Sequence, residues 1–244
     1  TGLLETVAGS IELSPGGVNA QIQGDVIAGG MGFDVIVSSA NNLTISGSLQ
    51  AQDDIILTAG DELNTEGTSV LTTLGQSSQI LITGENDVSI DSRIGGVNPD
   101  LNLIQIGSNQ GSVIVESASG WIETGAQIRL VGNDVDVEGV LRSHKATAAE
   151  GDNEVEIDIE GTARLTGDVE LAGSMLVSAD QKVLVYGMTL AADGAGQRLT
   201  LRSERGNVEL GWLEDTGGGT YTQWGGVVRA DRLVELEAAG VVQV

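Results

Sequence analysis

A fixed internal period constrains this chain more than any other feature. Val35-Ile36-Val37-Ser38-Ser39 aligns with Ile55-Ile56-Leu57-Thr58-Ala59 at an offset of 20 residues, and the same offset carries Leu43 to Leu63 and Gly47 to Gly67. Six steps further on, Val155 and Ile157 stand where Val35 and Val37 stood, with Ala163, Leu165 and Gly167 in the places of Leu43, Ile45 and Gly47. One more step gives Met175, Val177, Val183, Val185 and Gly187. Between these clean copies the period stretches, through Ile80/Ile82, Ile104/Ile106, Ile128/Leu130 and Leu199/Leu201. With a first copy at Ile11/Leu13 and a degraded last one near Val234/Leu236, about ten copies fill the chain. Self-similarity at a period of a few tens of residues marks a repeat architecture, in which each unit buries its apolar face only against its neighbours.

Each copy reads as short apolar-polar-apolar pieces separated by Gly, Asn, Asp or Ser. Such alternation argues strands with one buried face, and no 3.6-residue period persists long enough for a helix. Pieces of three to five residues fit a single coil of about three strands, stacked on the next coil at the inter-strand spacing of about 4.8 Å. The inward residues then form aliphatic ladders such as Val35–Ile55 and Val155–Met175. Gly47, Gly67, Gly167 and Gly187 fall where the chain turns a corner, and they are expected there for their access to positive φ. Only six residues are aromatic (three Trp, two Tyr, one Phe). That suits a thin aliphatic core and argues against a propeller, whose blades leave aromatic marks. The expected fold is all-β, a parallel β-helix of about ten coils of 20–28 residues. One segment spans residues 1–244, with inserted loops at 143–153 and 214–226.

The coil pattern aliphatic-x-aliphatic-x-Ala/Ser-x-x-polar-aliphatic-x-aliphatic-x-Gly is carried, in degenerate form, by Ile55-Ile56-Leu57-Thr58-Ala59-Gly60-Asp61-Glu62-Leu63, by Ile80-Leu81-Ile82-Thr83-Gly84-Glu85-Asn86-Asp87-Val88, and by Ile128-Arg129-Leu130-Val131-Gly132-Asn133-Asp134-Val135. It resembles the filamentous haemagglutinin-type repeats of large bacterial exoproteins and covers nearly the whole chain, as a degenerate pattern. The resemblance implies a secreted or surface-anchored right-handed β-helix used as a stalk or adhesin. The secretion domain of that family is not recognisable among these residues.

The formal net charge is −24, from 35 acidic and 11 basic residues. This disfavours nucleic acid and anionic membrane, both of which need a basic footprint. With no cysteine there is no disulfide framework and no thiolate metal site. No run of 18 apolar residues exists to span a membrane. The first residue is Thr1, and the repeats run to the aliphatic Val241-Val242-Gln243-Val244, so the chain reads as a segment of a longer array whose coil edges pair with further coils or end to end with another copy.

Residues with catalytic potential are few. His144 is the single histidine, and it is expected as a solvated residue of the 143–153 loop. Phosphate-binding, zinc and EF-hand motifs are lacking. Acids recur at turns (Asp53-Asp54, Asp61-Glu62, Glu85, Asp87, Asp134, Glu150, Asp152, Glu154). They are expected to be solvated. No cofactor is expected, calcium being the one ion that stacked turn acids could gather. Arg198, Arg202 and Arg205 with Glu204 form the nearest approach to a basic cluster, read as solvated arginines. Trp121 and Trp212 are read as packing residues at corners. Within the 214–226 insertion, Tyr221 and Trp224 lie between glycines and form a candidate contact patch, since aromatics anchor interfaces.

These features point to a structural or adhesive rod, or filament segment, of a large bacterial protein at the cell surface or outside the cell. A host-cell, matrix or glycan receptor is the expected partner. No enzyme is expected. The alternatives are a β-helical carbohydrate-active enzyme (lyase or hydrolase), which would need converging carboxylates beside an arginine on a coil face, and a phage or viral fibre.

Overall fold

A computed structural model of the chain describes residues 2–15, 19–95, 101, 103–116, 119–125, 127–144, 153–186, 189–192, 197–217, 220–224, 227–230 and 232–244. The described residues form three ten-stranded parallel sheets and contain no helix. The chain visits the sheets in rotation, so each coil adds one strand to each. The first sheet runs from Leu3–Thr6 to Val227–Ala230, the second from Ile11–Leu13 to Leu233–Ala238, and the third from Ala20–Ile22 to Val242–Gln243.

The expected ladders are present in register. On the second sheet Val35, Ile55, Ile80, Ile104, Ile128, Val155, Met175 and Leu199 stack one on the next. All are essentially inaccessible to solvent. Each such side chain contributes roughly 1.5–3 kcal/mol by burial, and β-branched Val and Ile suit the pleated surface they line. The positions between them point outward and carry anything from Ile56 to Arg129 to Glu156. A narrow core filled by single aliphatic layers leaves no room for aromatic rings, consistent with their scarcity.

The corner glycines act differently from the expectation. Among the described glycines only Gly32, Gly95 and Gly211 have positive φ. Gly47 and Gly167 are needed instead because neighbouring coils approach closely: a Cβ would lie 2.0 Å from Gly24 O at Gly47 and 1.8 Å from Gly139 O at Gly167. At Gly67 a Cβ would meet the Ser119 hydroxyl at 2.7 Å. Gly187 lies outside the described residues.

The 214–226 insertion is also more ordered than a loop. Trp212–Gly217 and Thr220–Trp224 pair antiparallel, with Trp212 opposite Trp224 and Asp215 opposite Tyr221. This hairpin lengthens the last coil beyond the expected 20–28 residues: Leu199 pairs with Val234, 35 residues on. Of the 143–153 insertion, Ser143 closes the strand Val140–Ser143 and Asn153 opens the strand Asn153–Ile159; residues 145–152, with Glu150 and Asp152, lie outside the described residues. Apolar side chains are exposed on the terminal coils, with Leu3, Leu4 and Val7 at one end and Leu233, Val234, Val241 and Val242 at the other.

Candidate functional site

The turn acids are mostly part of the frame. Asp87 Oδ1 accepts the backbone N–H of Ser112 at 2.8 Å, Asp134 Oδ1 that of Thr162 at 2.6 Å, and Asp25 Oδ1 that of Ser48 at 3.2 Å. In each case a carboxylate caps a donor one coil further on. Gly111 and Gly161 precede two of these donors, and a Cβ on either would meet the capping carboxylate at 2.4 and 2.3 Å. Asp61 and Glu85 instead accept side-chain amides, from Asn86, and from Asn109 and Gln110. Glu154 is buried and accepts the Ser143 hydroxyl. The turn acids read from the sequence were expected to be solvated; stacking gives Asp61, Glu85, Asp87 and Asp134 partners from the adjacent coil, whereas Glu154 is held by Ser143 of its own coil.

One group of acids converges. The carboxylates of Asp34, Asp53 and Asp54 offer oxygens within 4.8 Å of one another. Asp34 Oδ1 accepts the N–H of Asp54 at 3.1 Å, and Asp54 Oδ1 that of Gln79 at 2.8 Å. Burial holds the Asp54 carboxyl above its ordinary range, helped by the charges of Asp53 and Asp34 and opposed by the Gln79 N–H.

His144 is not simply solvated. Its Nε2 lies 3.0 Å from Glu123 Oε1, and its backbone N–H is held by Thr124 O. Glu123 Oε2 also accepts from Arg93 at 2.9 Å and from the Trp121 indole at 3.1 Å. The His144 bond, with those from Trp121 and Arg93, holds the Glu123 carboxyl below its ordinary range against the opposing effect of burial. Trp121 is half-buried on the outer face of the first sheet, not packed in the core. The Arg93 and Arg142 guanidinium carbons lie 5.6 and 5.2 Å from its ring centre, and Arg142 pairs with Glu170 at 2.8 Å. This cluster spans four coils and its charges are satisfied internally, which suits a clamp better than a reacting centre.

The outer face of the third sheet is concave. A cavity of about 490 Å³ is lined by Ile114, Asp136, Arg164, Lys182 and Leu184 among others. It adjoins one of about 190 Å³ that shares Arg164, Lys182 and Leu184 and adds Tyr186, Glu209 and Gly211. Arg164 pairs with Asp136 at 2.9 Å, and Lys182 with Glu209 at 3.5 Å. Burial holds the Asp136 carboxyl above its ordinary range, with Arg164 opposing and Glu138 and Glu116 adding to the effect. No sequence motif announces this groove, because its members come from successive coils. Their shared register is the signal that could have found it.

Tyr221 and Trp224 sit on one strand of the hairpin, and their side chains, like that of Trp212, lie outside the described residues. Arg202 faces Glu204 and Glu237 at 3.4 and 3.6 Å and Arg205 pairs with Asp180 at 3.0 Å, so these two arginines are neutralised separately; Arg198 is exposed at the start of the strand Arg198–Ser203. Comparison with known proteins gives no match to a family model, to a curated protein or to a solved structure. The fold and its surface therefore carry the functional reading.

Proposed function

We propose that this chain is a rod segment of a large bacterial protein, exposed at the cell surface or released from it, that acts by spanning distance and presenting a surface, without catalysis. The observation that carries this reading is the continuity of the aliphatic ladders on the three sheets: most described inward positions from Val35 to Val208 are buried Val, Ile, Leu or Ala, with small residues such as Ser39, Thr65, Thr73 and Ser108 at the others. A stacked core of this kind lengthens one coil at a time without change of cross-section, which is what a stalk requires. The likeness of the coil pattern to filamentous haemagglutinin-type repeats agrees with an adhesive stalk. The acidic surface keeps such rods apart in solution. The apolar side chains exposed on the terminal coils offer a surface on which a further coil or another copy can stack.

Antibodies raised against the folded chain and applied to intact cells of its source organism test this reading. Surface labelling, together with no release of reducing sugar ends when the protein is incubated with polysaccharides, is the expected result. Labelling only after permeabilisation would contradict it, and steady release of sugar ends would favour the carbohydrate-active alternative.

A further inference from the structure

We propose that the groove on the third sheet binds a neutral, extended oligosaccharide laid along the rod axis, contacting successive coils. The register places Ile114, Asp136, Arg164, Leu184 and Glu209 in one outward column, each a coil apart. Apolar, acceptor, donor, apolar and acceptor groups thus follow one another at about 4.8 Å, close to the length of one pyranose unit in an extended glycan. The three preceding coils of the same column carry small polar groups, Thr44, Asn64 and Ser89. The change of chemistry coincides with the concavity.

Three properties select a neutral sugar. First, the donors and acceptors are paired: the Arg164 guanidinium is fixed against Asp136 and the Lys182 ammonium lies beside Glu209. Pairs of this kind match vicinal hydroxyls, which both donate and accept, and they are already oriented before binding. Second, Arg164 and Lys182 are balanced by Asp136 and Glu209, with Asp134 adjacent. On a chain of charge −24, a polyanion gains nothing there. Third, Ile114 and Leu184 give an apolar floor for the C–H face of a ring, and Tyr186 stands at one end beside Gly211, which has no side chain to fill the space. An apolar floor with a few convergent polar groups is the usual composition of a small-molecule site.

This inference deepens the adhesive reading by naming its partner's chemistry. Failure to bind sugar would leave the surface-labelling test of that reading untouched. The test is calorimetric titration of the whole chain with cellohexaose, and with hexagalacturonate as an extended anionic comparator. Saturable binding of cellohexaose with a Kd on the order of 1 mM or below is expected. Binding should weaken about tenfold in Lys182→Met and in Leu184→Ser, and should be unchanged in Arg202→Met on the second sheet. Both groove substitutions are on outward side chains, and unchanged thermal midpoints check that the fold is kept. Independently, amide shifts in the unmodified protein should cluster at 112–114, 134–136, 162–166, 182–186 and 209–211. No saturable binding, binding insensitive to the groove substitutions, shifts elsewhere, or a preference for hexagalacturonate would each overturn the proposal.

Discussion

Asp134 Oδ1 accepts the backbone N–H of Thr162 at 2.6 Å, across the step from one coil to the next. The two residues are 28 apart in sequence, yet the bond is as local to the solenoid as an N-cap is to a helix. Removing the carboxylate leaves an exposed N–H to water in place of a fixed acceptor, so Asp134→Ala should cost about 0.5–1.5 kcal/mol. Asp158→Ala, an exposed acid on the second sheet, should change stability by less than about 0.5 kcal/mol. Urea unfolding of the two variants checks this; equal losses would show that the inter-coil bond contributes nothing.

Ile82 is fully buried in the second-sheet ladder, between Leu57 and Ile106, whereas Thr58, one position along from Leu57, is exposed. Ile82→Asp places an unpaired charge in the core and should destabilise by several kcal/mol, about 3–5 by analogy with broken buried pairs. Thr58→Asp should be close to neutral. Thermal melts that shift equally for both would mean that the faces are assigned wrongly.

Two glycines separate two roles. Gly32 has φ 72° with open space where a Cβ would go, whereas Gly47 has ordinary φ and a backbone oxygen 2.0 Å from that point. Gly32→Ala should cost about 1 kcal/mol of local strain, and Gly47→Ala about 3 kcal/mol or more through displaced coils. The reverse order in denaturant unfolding would contradict the close-approach account.

Glu123 gives a pH signature. Its carboxyl is held below its ordinary range by His144, Trp121 and Arg93, so the folded state binds its proton less readily than the unfolded chain. The stabilisation is complete above the unfolded value of 4.5 and is lost as pH falls through the lower folded value. Glu123→Gln should therefore be less stable than the parent by about 1–2 kcal/mol at pH 7, and the difference should shrink below pH 4.5. A gap that persists unchanged into strong acid would show that shape, not charge, holds the cluster.

The inward half of the structure was legible in the sequence because burial imposes a repeating demand: Val35, Ile55 and Ile80 must all be aliphatic, and they recur. The outward half obeys no such rule. Trp121, Glu123 and His144 meet Arg93 across coils, and nothing in their spacing distinguishes that meeting from solvent exposure. Asp34 joins Asp53 and Asp54, and Asp136 joins Arg164, only once the register is known. Gly47 was rightly placed at a corner but for the wrong reason, since close approach and positive φ both select glycine. The hairpin had a readable signal, Gly218-Gly219 between two alternating runs, which was obscured because it interrupts the coil period.

The most direct test of the stacked-coil arrangement is a pair of spin-label distances along one outward column of the second sheet. The chain has no cysteine, so labels at Thr58→Cys with Asp158→Cys, and at Thr58→Cys with Arg202→Cys, are free of background. The register runs Thr58, Thr83, Gly107, Val131, Asp158, Ser178, Arg202, so the pairs lie four and six coils apart. Distances near 19 and 29 Å, growing by about 4.8 Å per coil, are the predicted result. Distances that do not grow with coil number, or a second pair closer than the first, would contradict the solenoid and every inference built on its register.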